Sequence, residues 1–458
     1  MLDAIVIGAG LSGLQAARSL QEAGLQVIVL EARNRVGGKV WSVPLASGRG
    51  VVDLGAAWVN DQLQPRITKY LKRWDLKRVE QRLGHTAIMQ DSEGGISTFP
   101  HGIMPEFSEE EKKNLGVVRD HIQAESLKAG RPESKDDAVS LDQYVRNLGA
   151  TDKTIKMVNL WARVMHGVES TEESAAFFID YCRKNQGLLS IRADDKTGGN
   201  YQRLHRGTQS IANGLHELVG KHNVYFSSPV RSVEDNRTHV VVTTVGGKVF
   251  KARKVIISIP STMYQDLTIS PPLPAGLQEL ADNATMGDYN KMIVCYNTPW
   301  WRETSYNGFF MSYSGPSPLA RDTSVEEVGL YCLTCFVNGG LGRKWSKLPP
   351  HERRATILKQ LAKIYKAGPD SEVWRPIEMF DQIWKHEQYS KGALVPITKI
   401  GDLTKHADVY GKPVGNIHFC GTEYATEWKG YMEGALCSGE NVAKEVLNVV
   451  GLDARPKL

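Results

Sequence analysis

The sequence predicts an α/β fold in which a Rossmann-like dinucleotide-binding domain is interleaved with an α+β second domain. Residues 4–7 form a short apolar run that is typical of a strand buried on both faces. A turn in GxGxxG spacing and a helix-like stretch follow directly. Similar buried runs recur at 254–260 and 416–420, so the chain leaves this domain and returns to it.

The glycines of the turn have separate tasks in a dinucleotide-binding unit. Gly8 permits the tight turn, Gly10 lets the backbone approach a pyrophosphate, and Gly13 lets the helix pack closely on the strand. Apolar residues then recur at helical spacing until Gly24 ends the helix. The second strand ends at Glu31, where an acid accepts hydrogen bonds from a ribose 2′-OH. A plain α/β unit also tolerates a glycine-rich turn, but turn, strands and acid together favour dinucleotide binding.

The residues after Glu31 favour a flavin dinucleotide over a nicotinamide dinucleotide. Arg33 and the pair Gly37 and Gly38 follow the acid directly, and a nicotinamide-binding domain has no need of them. An arginine and bare backbone N–H groups can hold the phosphates of the longer cofactor, FAD.

The middle of the chain carries weaker patterns. Residues 108–149 are rich in charge and predict solvated helices without a site, and 154–178 predict a further helix. Residues 224–230 have strand character. A hairpin is predicted over 239–252, because two strand-like runs flank a pair of glycines.

Motifs at both ends of the chain resemble those of the flavin-containing amine oxidases, and most closely the soluble fungal monoamine oxidases. One motif is the N-terminal unit, with Lys39 where an arginine is more usual. Lysine keeps the charge and lacks the bidentate fork of arginine. The other motif is Gly-Thr-Glu at 421–423, followed by Gly-Tyr-Met-Glu-Gly-Ala at 430–435. A fungal enzyme for long-chain amines of the fumonisin type is one candidate within this family.

The resemblance implies the GR2-type flavin amine oxidase fold. The FAD-binding domain is then discontinuous and comprises residues 1–80, 209–285 and 391–458. The substrate-binding domain comprises residues 81–208 and 286–390.

The resemblance also assigns cofactor contacts to both ends of the chain and to its middle. They are Gly8, Gly10, Leu11, Ser12, Gly13, Glu31, Ala32, Arg33, Gly38, Lys39, Gly55, Ala56, Ala57, Trp58, Val230, Trp384, Gly421, Thr422, Glu423, Tyr431 and Met432. A long helix is predicted to begin near Gly430, and its N-terminal N–H groups carry partial positive charge. Directed at the flavin, these groups would stabilise its reduced anion.

Lys291 and Tyr431 are the predicted catalytic residues. Lys291 lies in an apolar, strand-like run, where a charge costs free energy unless it has a partner or a task. The resemblance implies that Lys291 holds a water beside flavin N5; the alternative is a lysine at a strand edge that reaches solvent. It also implies that Tyr431 is one wall of a two-ring cage around the amine.

The second wall of the cage and the flavin attachment differ from the mammalian pattern. Leu394 stands where the second aromatic ring is usual, which leaves room for bulky or long aliphatic amines. Ala393 replaces the cysteine that is bonded to the flavin in mammalian monoamine oxidases, so FAD is expected to be held non-covalently. Asn200 and Gln202 complete the substrate contacts that the resemblance implies.

Composition excludes several other classes of function. A formal net charge of +5 over 458 residues, without a basic block, does not indicate nucleic-acid binding. No apolar run approaches the ~20 residues of a membrane span. The six cysteines are scattered, and Cys332 and Cys335 lie in an apolar run that favours core packing over redox chemistry. The histidines show no paired spacing for a metal site.

The predicted function is the oxidation of a primary amine by FAD and O₂ to an aldehyde, ammonia and hydrogen peroxide. The alternatives are a polyamine oxidase or an L-amino-acid oxidase of the same fold, a NAD-dependent dehydrogenase, and a flavin-binding scaffold without turnover. A homo-oligomer, most simply a dimer, is expected. Residues 456–458, Pro-Lys-Leu, resemble a peroxisomal address, so a peroxisomal or cytoplasmic location is expected.

Overall fold

The computed structural model of the protein describes residues 1–103 and 107–450. In chain order, its strands are β1 (Leu2–Ile7), β2 (Val27–Leu30), β3 (Ser42–Pro44), β4 (Val51–Asp53), β5 (Arg78–Glu80), β6 (Thr86–Gln90), β7 (Ile96–Pro100), β8 (Gln202–Leu204), β9 (Val224–Tyr225), β10 (Val230–Asp235), β11 (Val240–Thr244), β12 (Val249–Ile257), β13 (Thr268–Ser270), β14 (Thr285–Met286), β15 (Tyr289–Tyr296), β16 (Tyr306–Ser312), β17 (Leu319–Asp322), β18 (Tyr331–Asn338), β19 (Glu378–Ile383), β20 (Pro396–Ile397) and β21 (Ile417–Phe419).

The helices lie between groups of strands along the chain, and six of them, α3 to α8, follow one another without a strand between them. They are α1 (Leu11–Glu22), α2 (Pro65–Arg73), α3 (Glu109–Leu127), α4 (Ser134–Asp137), α5 (Leu141–Asn147), α6 (Asp152–His166), α7 (Ala175–Lys184), α8 (Leu188–Arg192), α9 (Gln209–Val219), α10 (Ala275–Asn283), α11 (Gly339–Trp345), α12 (Pro350–Ile364), α13 (Asp402–Lys405) and α14 (Met432–Val450).

The first sheet contains the dinucleotide-binding unit. Its strand order is β13-β10-β11-β12-β1-β2-β9, and β21 also pairs with β12. Strand β1 lies parallel to both neighbours, with Val6 opposite Val29 and Ile256. These residues are buried because α1 and α14 cover one face of the sheet. Every strand of this sheet falls in the segments predicted for the cofactor domain, although the exact domain boundaries stay a prediction.

The second sheet forms one wall of the central cavity, to which it contributes Lys291 and Phe336. Its order is β19-β15-β18-β17-β16-β6-β7, and β15 lies between β18 and β19. Lys291 on β15 is opposite Phe336 on one side and Gln382 on the other. Lys291 is therefore on an interior strand, and the alternative of a lysine at a strand edge is wrong. Helices α3 to α8 pack into a separate apolar core beside this sheet.

Several local predictions were wrong in their extent. The predicted helix over 154–178 is two helices, because Gly167 ends α6 in the left-handed conformation and Ser174 caps α7. The strand over 224–230 is broken at Ser227, whose φ is 47°. The second strand of the hairpin and the buried run at 254–260 form one long strand, β12, which pairs with β11 first and β21 later.

The charge-rich segment 108–149 is helical as predicted, but it is not wholly solvated. Leu115, Val118 and Ile122 form a buried stripe on α3.

The two cysteines of the CxxC motif lie in different apolar cores. The Sγ atom of Cys332 is 3.0 Å from that of Cys295. Cys335 packs in the other core, and burial raises its pKa to about 12. Core packing is therefore the better interpretation of that motif.

Within the described ranges, every helix is too short or too polar to cross a bilayer. The tripeptide 456–458 lies outside the described residues. The peroxisomal or cytoplasmic location thus stays a prediction.

Close packing of α1 on β1 generates a stability prediction. A Cβ atom added at Gly13 would lie 2.1 Å from the carbonyl oxygen of Gly8, whereas one added at Gly116 in α3 would meet nothing within 4 Å. We expect Gly13→Ala to lower the free energy of unfolding by about 1–3 kcal/mol, because the backbone of α1 or of the turn at Gly8 must shift to make room for the methyl group. Gly116→Ala, the matched control, should be neutral or stabilise by up to about 1 kcal/mol. Urea unfolding followed by circular dichroism measures both, and equal midpoints for the two variants would contradict this packing.

Candidate active site

One cavity of about 1010 Å³ runs from the glycine-rich turn to the helices beside the second sheet. All of the predicted cofactor contacts line it except Gly13, which packs α1 against β1. The predicted substrate residues Leu394, Asn200 and Tyr431 also line it. Gln202 does not, because β8 holds it in a buried backbone pairing with Val59. Its assignment as a substrate contact is therefore not supported by the geometry.

The turn after β1 presents bare backbone to the cavity. Gly10 is the N-cap of α1 and has no side chain to accept from the first N–H groups, which are left for a ligand. A Cβ atom at Gly10 would meet no atom within 4 Å, so the space before it is open. This is the space that the phosphates of a dinucleotide need.

Glu31 is fixed at the end of β2 by two backbone donors. One carboxylate oxygen accepts from the N–H of Ala9 at 2.7 Å, and the other accepts from the N–H of Arg33 at 2.8 Å. The carboxylate is buried and lines the cavity, and each oxygen keeps a lone pair for a further donor. A ribose with two hydroxyl groups fits this acceptor.

The charged groups of the loop after Glu31 are less free than its sequence suggests. The Arg33 guanidinium donates to Ser390 at 2.8 Å and to Glu387 at 3.2 Å. Burial lowers the pKa of Lys39, and the nearby Glu423 carboxylate opposes that change. Lys39 therefore keeps an anionic neighbour within the protein while it lines the cavity.

Lys291 reaches from β15 to the backbone that follows β4. Its ammonium group donates to the carbonyl oxygen of Asp53 at 3.0 Å and to that of Gly55. The same nitrogen lies 5.4 Å from the ring centroid of Trp58 and 5.6 Å from that of Phe336. Burial lowers the pKa of Lys291 to about 8, with the Asp53 carboxylate acting in the opposite direction.

The segment 55–58 lines the cavity next to Lys291. The indole N–H of Trp58 is buried without a hydrogen-bond partner among the described residues. A buried donor without a partner costs free energy, so this N–H is available to an acceptor on a ligand in the cavity. Trp384 closes the same region, and its indole donates to the carbonyl oxygen of Leu54 at 3.1 Å.

The C-terminal motif directs a helix N-terminus at the same cavity. The Thr422 hydroxyl accepts from the N–H of Gly430 at 2.7 Å and donates to the carbonyl oxygen of Tyr431 at 3.0 Å. These two bonds hold the turn that precedes α14, and Met432 at its start lines the cavity. Burial raises the pKa of Glu423, which accepts from the N–H of Ser261 at 3.2 Å.

Tyr431 and Leu394 occupy the two predicted cage positions, and both line the cavity. The Tyr431 ring makes an edge contact with Trp428 at 5.2 Å between centroids. A Cβ atom at Gly199 would lie 2.7 Å from this ring, so the glycine is needed for the close approach. Leu394 follows Ala393 across a cis peptide bond, and neither side chain carries a thiol.

The far end of the cavity is made by residues that sequence reasoning missed. Helices α3, α6 and α8 contribute Leu115, Arg119, Trp161 and Arg192. The apolar stripe on α3 could have predicted that its inner face is buried. Nothing in the local sequence signals Arg192, because it reaches the cavity only through the packing of three helices.

A buried ion pair lies at the same end. The Asp194 carboxylate is 2.6 Å from the Arg321 guanidinium and 3.1 Å from the ring of His101. Burial alone would raise the pKa of Asp194, but Arg321 and His101 hold it below its ordinary value. The carboxylate is thus an anion that already has its countercharge.

These features fit FAD. Open backbone at Gly10, a fixed acid at Glu31 and an unpartnered donor at Trp58 are three separate sites for one extended dinucleotide. Ala393 offers no atom for a covalent bond to it, so the residues present hold the cofactor non-covalently.

Comparison with known proteins agrees with this geometry over nearly the whole chain. The family described as flavin containing amine oxidoreductase matches residues 11–447. The chain is 30% identical to the human flavin-containing amine oxidase B over 462 residues, with 98% of this chain and 86% of that protein covered. It is 29% identical to the probable flavin-containing monoamine oxidase A of Dictyostelium discoideum over 465 residues, with 97% of each covered.

Solved structures give the same result for the fold. Putrescine oxidase bound to putrescine superposes with a TM-score of 0.90 at 26% identity, and 98% of this chain and 99% of that chain are covered. Cyclohexylamine oxidase from Brevibacterium oxydans superposes with a TM-score of 0.90 at 22% identity, with 98% and 99% covered, and supports the fold alone. From the match over residues 11–447 and the cofactor-shaped cavity, we conclude that this chain belongs to the flavin-containing amine oxidase family, uses FAD and oxidises amines.

Proposed function

We propose that this enzyme oxidises primary monoamines with bulky or long aliphatic chains to aldehydes, releasing ammonia and reducing O₂ to hydrogen peroxide. The observation that carries the proposal is a wide chamber in which Tyr431 is retained and the second cage position is Leu394. A leucine leaves space where an aromatic ring would confine the amine. The size of the cavity, about 1010 Å³, is consistent with a cofactor and a long substrate together.

When bound, FAD supplies the electron-accepting chemistry, and the protein supplies binding, orientation and electrostatics. The glycine-rich turn and Glu31 would hold its dinucleotide portion, and Trp58, Trp384 and the start of α14 would hold its ring. The amine must be neutral to react. Apolar side chains around the chamber disfavour the ammonium form and so lower the pKa of a bound amine.

Lys291 has a charge but no carboxylate partner at hydrogen-bond distance. Two of its protons go to backbone carbonyl oxygens, which leaves the third N–H of the protonated form for a water or a cofactor atom in the cavity. This geometry supports the role that family resemblance implies, a lysine that orients a water beside the flavin.

The charges of the cavity favour a monoamine over a diamine or polyamine. A second ammonium group needs an uncommitted carboxylate, and Asp194 on the substrate side is already paired with Arg321 and bonded by His101. The other carboxylates of the described lining are paired with lysine or lie in the cofactor cradle; they are Asp266, Glu31 and Glu423.

An L-amino-acid oxidase remains the second candidate, because arginines line the chamber. Such an enzyme needs an arginine for the α-carboxylate of its substrate. Arg321 is a poor choice for this task, since its guanidinium is neutralised by Asp194.

The first prediction concerns the substrate class. Purified protein should be yellow, should release its flavin into the supernatant on acid precipitation, and should form peroxide with octylamine faster than with putrescine or spermine. A coupled peroxidase assay measures the rates at equal amine concentration. Faster turnover of spermine or of leucine would instead assign the polyamine or amino-acid alternative, and no peroxide with any amine would reject the proposed function.

The second prediction concerns Lys291. We expect Lys291→Met to slow turnover of octylamine by on the order of a hundredfold, because a preorganised donor beside the reacting atoms is lost. Lys254→Met is the matched control: Lys254 is also buried in a sheet, but it donates to Asn416 and lies outside the cavity. FAD content per chain should be the same in both variants, and wild-type turnover in Lys291→Met would reject the role.

The third prediction uses the pKa of Lys291. The lysine pKa is lowered to about 8, so its positive charge is present below that pH and lost above it. We expect the visible absorbance of the holoenzyme to change with a midpoint near pH 8, because a charge beside the flavin is removed. Lys291→Met should show no such transition and should resemble the high-pH spectrum at every pH. An identical transition in the variant would assign the titration to another group.

A further inference from the structure

Arg192 differs from the other arginines at the far end of the cavity. The Arg321 guanidinium is 2.6 Å from Asp194, and that of Arg119 is 2.7 Å from Asp120. Arg192 makes no hydrogen bond or ion pair with any residue in the described ranges. Its guanidinium instead lies 4.5 Å from the ring centroid of Trp161.

Arg192 therefore has no carboxylate partner at hydrogen-bond distance among the described residues. Burial lowers its pKa to about 10; the positive charge of Arg119 acts in the same direction, and the Asp194 carboxylate acts in the opposite direction. Arg192 nevertheless remains a cation at neutral pH, in a cavity whose nearby walls include Leu115, Leu160 and Ile191. Placing an unpaired charge among apolar groups costs free energy, and an arriving anion would recover that cost.

The shape of the guanidinium matters for what it can bind. The Trp161 ring contacts it within cation–π distance, and the group itself is a planar fork of N–H donors. A planar fork of this kind matches the two oxygens of a carboxylate and can bind them in a bidentate manner. Lysine would supply the charge without this geometry.

Backbone contacts tie this arginine to the amine end of the chamber. The carbonyl oxygen of Ser190 in α8 accepts from the N–H of Gly199 at 3.1 Å, and Gly199 packs against the ring of Tyr431. The Ile191 carbonyl oxygen accepts from the side chain of Asn200 at 3.2 Å. The helix that carries Arg192 is thus braced by the residues that line the amine site.

We propose that Arg192 binds a carboxylate of the substrate, so that the enzyme acts on long amines that carry an anionic group away from the amine. The inference rests on the proposed function, since it names the substrate class of the same chamber. The amine end enters beside Tyr431 and Lys291, and the anionic end lies on the wall formed by Trp161 and Arg192. No second positive charge on the substrate is needed, which agrees with the paired state of Asp194.

The test compares two substrates that differ only in the carboxylate. We expect the ratio of kcat/KM for 8-aminooctanoate to that for octylamine to fall by about ten- to a hundredfold in Arg192→Gln, the range expected when one charged hydrogen-bonded contact is lost. Arg192→Lys should give an intermediate ratio, because it keeps the charge and loses the fork. Arg131→Gln is the matched control, since Arg131 is exposed, pairs with Asp408 and lies outside the cavity.

A binding measurement makes the result independent of turnover. Octanoate carries the carboxylate without an amine, and its binding is followed by the change in flavin absorbance. We expect its Kd to rise about tenfold or more in Arg192→Gln and to stay unchanged in Arg131→Gln. Equal melting temperatures would show that the variants remain folded.

The outcomes separate this inference from the proposed function. An unchanged substrate ratio and an unchanged octanoate Kd in Arg192→Gln, with octylamine still oxidised, would overturn the inference and leave the function intact. Absence of peroxide with every amine would reject the function, and octanoate binding would still test Arg192. If the variant loses activity on leucine and not on 8-aminooctanoate, the arginine binds an α-carboxylate, and the proposal of a remote anion is wrong.

Discussion

The close packing of α1 between β1 and α14 is the constraint on which the rest of the structure depends. Gly13 lets α1 pack against the backbone of the turn at Gly8. Gly439 lets α14 pack against Ser12, because a Cβ atom added at Gly439 would lie 2.4 Å from the carbonyl oxygen of Ser12. A side chain at Gly13 would push α1 away from the turn and β1, and one at Gly439 would push the C-terminal helix away from α1. Because both helices start at one cavity, their N-termini would act together on a cofactor bound there, and their partial positive charges would stabilise its anionic groups.

Lys291 makes the second connection, between the second sheet and the segment that follows β4. It belongs to β15, and its hydrogen bonds go to the carbonyl oxygens of Asp53 and Gly55. The same side chain therefore links elements that are distant in the sequence and brings a positive charge to the wall of the cavity. Burial brings its pKa to about 8, within the range where a small change in pH alters that charge.

The distribution of paired and unpaired charge separates the regions of the cavity. Glu31 lies beside the glycine-rich turn, where its free lone pairs suit a ribose, and Asp194 is neutralised by Arg321, so neither is placed to bind a substrate ammonium. Lys291 and Arg192 are the cations of the described lining that lack a carboxylate at hydrogen-bond distance on the substrate side. An apolar chamber with an unneutralised cation at each end favours a neutral amine at one and an anion at the other.

Sequence alone determined the first and last elements, because their signals are local. A turn with fixed glycine spacing, an acid at the end of the next strand, and a Gly-Thr-Glu motif before a helix each predict geometry within a few residues, and the structure brings all of them but Gly13 to the cavity. It also determined that Ala393 offers no covalent attachment. Only the tertiary structure decided that Gln202 does not line the cavity and that α3 contributes Arg119 to it. It also decided that Arg192 contacts Trp161 and has no carboxylate at hydrogen-bond distance in the described ranges. Those facts depend on contacts between segments that are far apart in the chain. The spacing of apolar residues and the composition carry no information about which charged groups become neighbours across such contacts.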